Sequence, residues 1–215
     1  GLKFVHPFTR PNNWRSRNLC LCGNFNITNV GETMAHQIAK GQHPQEVADS
    51  LVILENVGHF LDREVQRKFE LYKSQKTVEG KKTSSQVVSR MVEDTMDLGD
   101  VLRGASKNWD GGYAICGILG HGDSFVLRDP WGIRPAFYFH NDEFAVVASE
   151  RAVIQTTFDL DASQVKELEA GEAILIRKSG EVELQQVRPA QPKRACSFER
   201  IYFSRGTDHQ IYQER

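Results

Sequence analysis

Between residues 23 and 29 the chain reads Gly23-Asn24-Phe25-Asn26-Ile27-Thr28-Asn29, with three short amides in seven residues. A carboxamide carries N–H donors on a short side chain. Such a cluster can present side-chain and backbone N–H groups to an atom that holds or develops negative charge. The same amides also suit the caps of a turn before a helix, because they bond readily to nearby backbone. Further along, Arg128-Asp129-Pro130-Trp131-Gly132-Ile133-Arg134-Pro135 sets a charge pair before a Pro-x-Gly turn between two apolar runs. At a strand end that pair reads as a structural ion pair and turn. Asp49, in Ala48-Asp49-Ser50, opens a long helical stretch. An acid there complements the helix dipole by ~0.3–1 kcal/mol.

Other residue types contribute less chemistry. The four cysteines, Cys20, Cys22, Cys116 and Cys196, form no Cys-x-x-Cys pair and read as small buried thiols. The seven histidines show no metal-ligand spacing. Gly117-Ile118-Leu119-Gly120-His121-Gly122 lacks the pattern and the setting of a dinucleotide fingerprint. Basic and acidic residues number 27 and 28, and Lys81-Lys82 is only a short cluster, so neither nucleic acid nor an anionic membrane is an expected partner. No apolar run approaches the ~18–20 residues that span a bilayer, and Gly1 to Val5 is too short for a signal peptide. With no disulfide framework, a reducing cytoplasm is the expected compartment.

The elements that must position these residues fall into three zones. In the first, Leu19-Cys20-Leu21-Cys22 reads as a strand that stops at the Gly/Asn cluster. In the second, Val47, Leu51, Leu54, Gly58, Leu61 and Val65 alternate spacings of four and three, the signature of one helix face. Val88, Met91, Thr95, Leu98, Leu102 and Ala105 make a second stripe, and the polar stretch from Lys73 to Ser85 reads as an exposed connection. In the third, from Gly111, short apolar runs punctuated by turn residues predict successive antiparallel strands. A short helix is expected around Arg151 to Thr157, and a hairpin about Lys178-Ser179-Gly180. The tail from Pro189 reads as a linker or docking segment. Strand, helices and then strands predict an α+β domain.

Taken together, the segments at Asn24 and Arg128 resemble the class II glutamine amidotransferase domain, most closely that of the amidophosphoribosyltransferase family. Trp109-Asp110-Gly111-Gly112-Tyr113-Ala114 is similar to the family's Asp-Gly-x-Tyr/Phe-Ala strand opening. Ala148-Ser149-Glu150-Arg151-Ala152 resembles its Ala-Ser-Glu-x-x-Ala segment, and Ala170-Gly171-Glu172-Ala173 its Pro-Gly-Glu turn. The run from Cys196 to Arg205 resembles the Cys-x-Phe-Glu-x-x-Tyr-Phe-Ala-Arg segment that joins glutaminase and phosphoribosyltransferase domains in that family.

The resemblance implies a four-layer α/β/β/α sandwich of the N-terminal-nucleophile (Ntn) hydrolase type, incomplete at its N-terminus. Residues 1–190 would form a partial glutaminase domain and 191–215 a linker toward a C-terminal phosphoribosyltransferase domain. The family's nucleophile is an N-terminal cysteine whose own α-amino group acts as base, which no internal cysteine can copy. Its oxyanion hole uses the Asn side chain and the following backbone N–H of an Asn-Gly-Asn-Leu-Thr-Asn segment. Asn24 fills the first position. Phe25 stands in place of the glycine, which leaves the N–H available but requires backbone that tolerates a Cβ. Asp49 matches the acid that binds the α-ammonium of glutamine. The implied substrates are glutamine and, in the parent protein, phosphoribosyl pyrophosphate, in a homo-oligomer of purine biosynthesis. No cofactor is expected within this chain. Mg²⁺ would serve the parent's phosphoribosyltransferase domain, and an iron–sulfur cluster using Cys196 would need ligands beyond Arg215. Related readings are the glutaminase domain of another amidotransferase and a catalytically inactive Ntn-type binding module.

Overall fold

The computed structural model describes residues 5–44, 46–75 and 84–202. The chain divides into two compact units, each discontinuous in sequence. One comprises the chain up to Cys22 with Asn29–Trp109 and Gly117–Ser124; the other comprises Gly23–Thr28, Asp110–Cys116 and the chain from Phe125 onward.

The first unit is built on a long helix, α2 (Asp49–Gln75), which follows α1 (Val30–Ala39) and precedes α3 (Ser85–Thr95) and α4 (Leu98–Ser106). Leu54, Leu61 and Val65 of the expected stripe are buried, joined by Val52, Ile53 and Val57. At ~1.5–3 kcal/mol for each large aliphatic side chain removed from water, this face holds the unit together. Leu51 is only half-buried, and Val47 lies before the helix and is 71% exposed. The second stripe is two helices rather than one. The chain breaks at Met96, and Asp97 caps α4 by accepting from the Asp100 N–H at 2.9 Å. Two buried amides tie the helices together. Asn56 Nδ2 donates to the Ala105 carbonyl at 2.7 Å, and Gln37 Nε2 donates to that of Val52 at 2.8 Å. Strand β1 (Phe8–Arg10), too short to show a period, pairs antiparallel with the start of β2 (Leu19–Ile27) in the register Phe8↔Leu21 and Arg10↔Leu19. α2 runs to Gln75, and residues 76–83 of the expected connection lie outside the described residues.

The second unit stacks two sheets and a helix. The later part of β2 is followed across its sheet by β3 (Gly111–Leu119), β4 (Ser124–Arg128), β8 (Glu172–Ile176) and β9 (Val182–Gln186). A second sheet has the order β6 (Ala145–Ala148), β5 (Phe137–His140), β7 (Lys166–Glu167). Val126, Ala136, Tyr138, Leu168 and Ile174 pack between the sheets. On the other face of the smaller sheet, Ile154 of α5 (Arg151–Phe158) meets Phe137 and Val165. The strands therefore do not form one successive meander: after β4 the chain crosses to the second sheet and returns at β8. The β8–β9 hairpin has the expected turn, where Gly180 adopts φ +90°.

Candidate active site

Strand β2 does not stop at Gly23; it continues through Asn24, Phe25 and Asn26 to Ile27. Glycine makes that continuation possible. A Cβ on Gly23 would overlap the Ala114 carbonyl, and one on Gly111 would overlap that of Asn26, so both ends of this segment lie closer to β3 than a side chain allows. The strand period then sorts the side chains. Asn24 and Asn26 are exposed on one face, while Phe25 is half-buried and Ile27 buried on the other. Neither Asn24 nor Asn26 caps a turn. The segment closes where Thr28 donates from its N–H to the Asp110 carbonyl at 2.8 Å and from Oγ1 to the Asp110 carboxylate at 2.7 Å.

Asn24 Nδ2 donates to Glu199 Oε1 at 3.2 Å. The same carboxylate oxygen is 2.9 Å from Nη1 of Arg134. Glu199 and Arg134 each lie in one of the sequence motifs, yet neither residue type nor spacing marks them as functional. The hydrogen bond joins residues 175 positions apart, a separation at which no local pattern reports contact.

Arg134 is positioned by the turn that follows β4. Asp129 is fully buried, and its carboxylate accepts from four backbone N–H groups: Trp131 and Ile133 at 3.0 Å on Oδ1, Arg134 at 3.0 Å and Tyr113 at 3.3 Å on Oδ2. A buried charge is tolerable when it is this fully hydrogen-bonded. Arg128 is likewise buried. Its guanidinium donates to the carbonyls of Arg134 at 2.7 Å, Gly132 at 3.1 Å and Leu168. Its ionic partner is Glu167 at 2.8 Å. The structural reading of this motif stands, but the pairing differs from expectation, because Asp129 is occupied by backbone donors rather than by Arg128. Burial pushes the Glu167 carboxyl up, yet the hydrogen bonds from Lys193 and the attraction of Arg128 outweigh it and hold it below its ordinary range.

The chain beyond Pro189 runs along this turn. Gln191, Arg194 and Cys196 donate backbone N–H groups to the carbonyls of Pro130, Trp131 and Ile133 at 2.8, 2.8 and 3.1 Å. The strap delivers α6 (Ser197–Tyr202), which carries Glu199. Residues 203–205 of the Cys196 to Arg205 run lie outside the described residues.

Asp49 is the first residue of α2 in the first unit, half-buried, and its Oδ1 accepts from the N–H of Ser50 at 2.7 Å. That contact is the helix-terminal role available to any acid there; the second carboxylate oxygen can serve a ligand. Asn24 and Asp49 thus stand in different units. A cavity of about 510 Å³ beside α2 is lined by Arg10, His43, Glu46 and Glu55 among others, but not by Asp49. Its guanidinium is engaged, since Arg10 Nη2 lies 2.7 Å from Asp62.

The cysteines depart from expectation in burial. Cys22 is exposed, and Cys20, Cys116 and Cys196 are half-buried; all four are free thiols. Partial burial, then the neighbouring Cys22, push the Cys20 thiol up, away from a reactive thiolate. Among the described residues no group of three or more His, Cys, Asp and Glu gathers as metal ligands, and no helix is long and apolar enough to cross a membrane.

No protein-family model matches the chain. Similar proteins are nevertheless plain. The amidophosphoribosyltransferase of Saccharomyces cerevisiae is 33% identical over 117 residues, covering 51% of this chain and 22% of that protein. The amidophosphoribosyltransferase of Pasteurella multocida is 28% identical over 194 residues, covering 87% and 33%. Among solved structures, the glutamine phosphoribosylpyrophosphate amidotransferase of Bacillus subtilis, complexed with ADP and GMP, superimposes with a TM-score of 0.62 at 22% identity, over 95% of this chain and 36% of that one. A structure described as the allosteric regulatory enzyme of purine biosynthesis gives 0.61 at 23% identity, with the same coverage. The chain is similar to the amidophosphoribosyltransferases and shares the α+β fold of these solved structures. It spans about a fifth to a third of the length of the curated relatives it matches.

Proposed function

We propose that the chain is the glutamine-hydrolysing part of an amidophosphoribosyltransferase-like protein, releasing ammonia for transfer to phosphoribosyl pyrophosphate in cytoplasmic purine biosynthesis. The observation that supports this reading is the exposed Asn24 carboxamide on β2, in a chain similar to the amidophosphoribosyltransferases. A thiolate attacks Cδ of the glutamine side chain, and the amide oxygen becomes an oxyanion held by Asn24 Nδ2 and the Phe25 N–H. The C–N bond breaks, nitrogen leaves as ammonia with the proton taken from the thiol, and water hydrolyses the thioester to glutamate. Asp49 holds the substrate's α-ammonium.

The nucleophile in this proposal comes from outside these 215 residues, because Cys20, Cys22, Cys116 and Cys196 are internal residues with no free α-amine to act as base. Residues 191–215 serve as the linker to a phosphoribosyltransferase domain, in a homo-oligomer. Mg²⁺ belongs to that domain, outside this chain. A second reading, an inactive Ntn-type binding module, draws on Phe25 standing where the family has glycine.

Glutamate release decides between them. The complete protein should hydrolyse glutamine, and the 215-residue chain alone should not. Hydrolysis by the isolated chain that is lost on mutating Cys20 or Cys22 would overturn the external nucleophile, and inactivity of the complete protein would support the module.

A further inference from the structure

Helix α6 is inverted in polarity. Its apolar side chains face outward, with Phe198, Ile201 and Tyr202 at 64%, 62% and 73% exposure, while the Glu199 side chain is only 11% exposed. A segment docked simply to bury area would turn those apolar groups inward. Here the inward group is a carboxylate, and among the described residues it meets Arg134 Nη1 at 2.9 Å and Asn24 Nδ2 at 3.2 Å, both at the candidate site.

We propose that Glu199, clamped by Arg134, is a positioning residue that orients the Asn24 carboxamide for amide hydrolysis. This rests on the reading of Asn24 as oxyanion donor. A carboxylate only accepts hydrogen bonds, so its presence fixes which end of the Asn24 amide faces it: Nδ2 toward Glu199, Oδ1 away. One N–H is thereby occupied and the direction of the second is set before substrate arrives. That pre-organisation is what a transition-state donor requires. Arg134 has a second part to play. An uncompensated carboxylate next to a forming oxyanion would oppose it, and the guanidinium cancels that charge. Both members are held from behind, Arg134 through its backbone N–H on Asp129 and Glu199 through the strap along residues 130–133.

Glutamine-dependent and ammonia-dependent turnover are compared in the complete protein for E199A, E199Q, R134M and E199Q/R134M. E199A should lower the glutamine-to-ammonia ratio of kcat roughly ten- to a hundredfold with KM for glutamine nearly constant. E199Q, which keeps an acceptor oxygen, should recover most of that loss. R134M should fall at least as far as E199A, and E199Q/R134M should climb back toward E199Q because the stray charge is gone. Added to N24A, E199A should cause no further fall. If N24A collapses the ratio while E199A leaves it unchanged, raises it or adds independently, the positioning role is overturned and the oxyanion reading survives. An unchanged ratio in N24A overturns both. On the present chain, the Asn24 side-chain N–H resonances should move in E199A and in R134M. A spectrum in which they stay in place contradicts the contact whatever the catalytic result.

Discussion

Asn24 and Asp49 are assigned to interactions that form at different moments, and their variants should separate. The partner we propose for Asp49 is an ammonium present in substrate and transition state alike, so its loss would remove uniform binding. Asp49→Ala should raise KM for glutamine with little change in kcat, read from initial rates in the complete protein. A lowered melting temperature with unchanged KM would instead mark Asp49 as a helix-terminal acid serving only the Ser50 N–H. At this scale the sequence was informative where a residue type and its neighbours carry meaning together. Asn24 stood out among clustered amides, and Arg128-Asp129 read as structural. The partners of those residues were not legible. Asp129 takes the Tyr113 N–H from 16 positions away, and Glu199 reaches Asn24 across 175.

At the scale of elements, β2 shows what a composition-based boundary misses. Gly and Asn usually end strands, but Gly23 is there because β3 passes too close for a Cβ, not because the strand turns. Gly23→Ala should therefore destabilise the fold by ~1–3 kcal/mol, since the obstacle is backbone that cannot rotate away. Gly31→Ala is the contrast: its Cβ would meet nothing within 4 Å, and within α1 it should stabilise by ~0.5–1 kcal/mol. Thermal unfolding of the two variants checks both signs. Helix α2 was legible from its period and β3 to β6 from their apolar runs. The three residues of β1 and the two of β7 are too few to show a period. The break between α3 and α4 was hidden because Met96 and Asp97 fall within a single stripe whose spacing continues across them.

For the whole molecule, the α+β class followed from the order of helical and strand periods, whereas the passage of the chain from β4 to a second sheet and back did not. Hairpin-like punctuation looks the same in one sheet as in two. The Arg128–Glu167–Lys193 contacts make stability depend on pH. Because the folded Glu167 carboxyl ionises below its ordinary 4.5, its contribution is present above about pH 4.5 and is lost as pH falls further. Glu167→Gln should be less stable at neutral pH, and its unfolding free energy should fall less steeply on acidification; an unchanged slope would contradict this. The proposed oxyanion donor on β2 is decided by the ratio of glutamine-dependent to ammonia-dependent turnover in the Asn24→Ala complete protein. Loss of the donor should lower that ratio roughly a hundred- to a thousandfold with KM for glutamine nearly unchanged. An equal fall in both activities with a lowered melting temperature would show that Asn24 supports the fold and not the reaction.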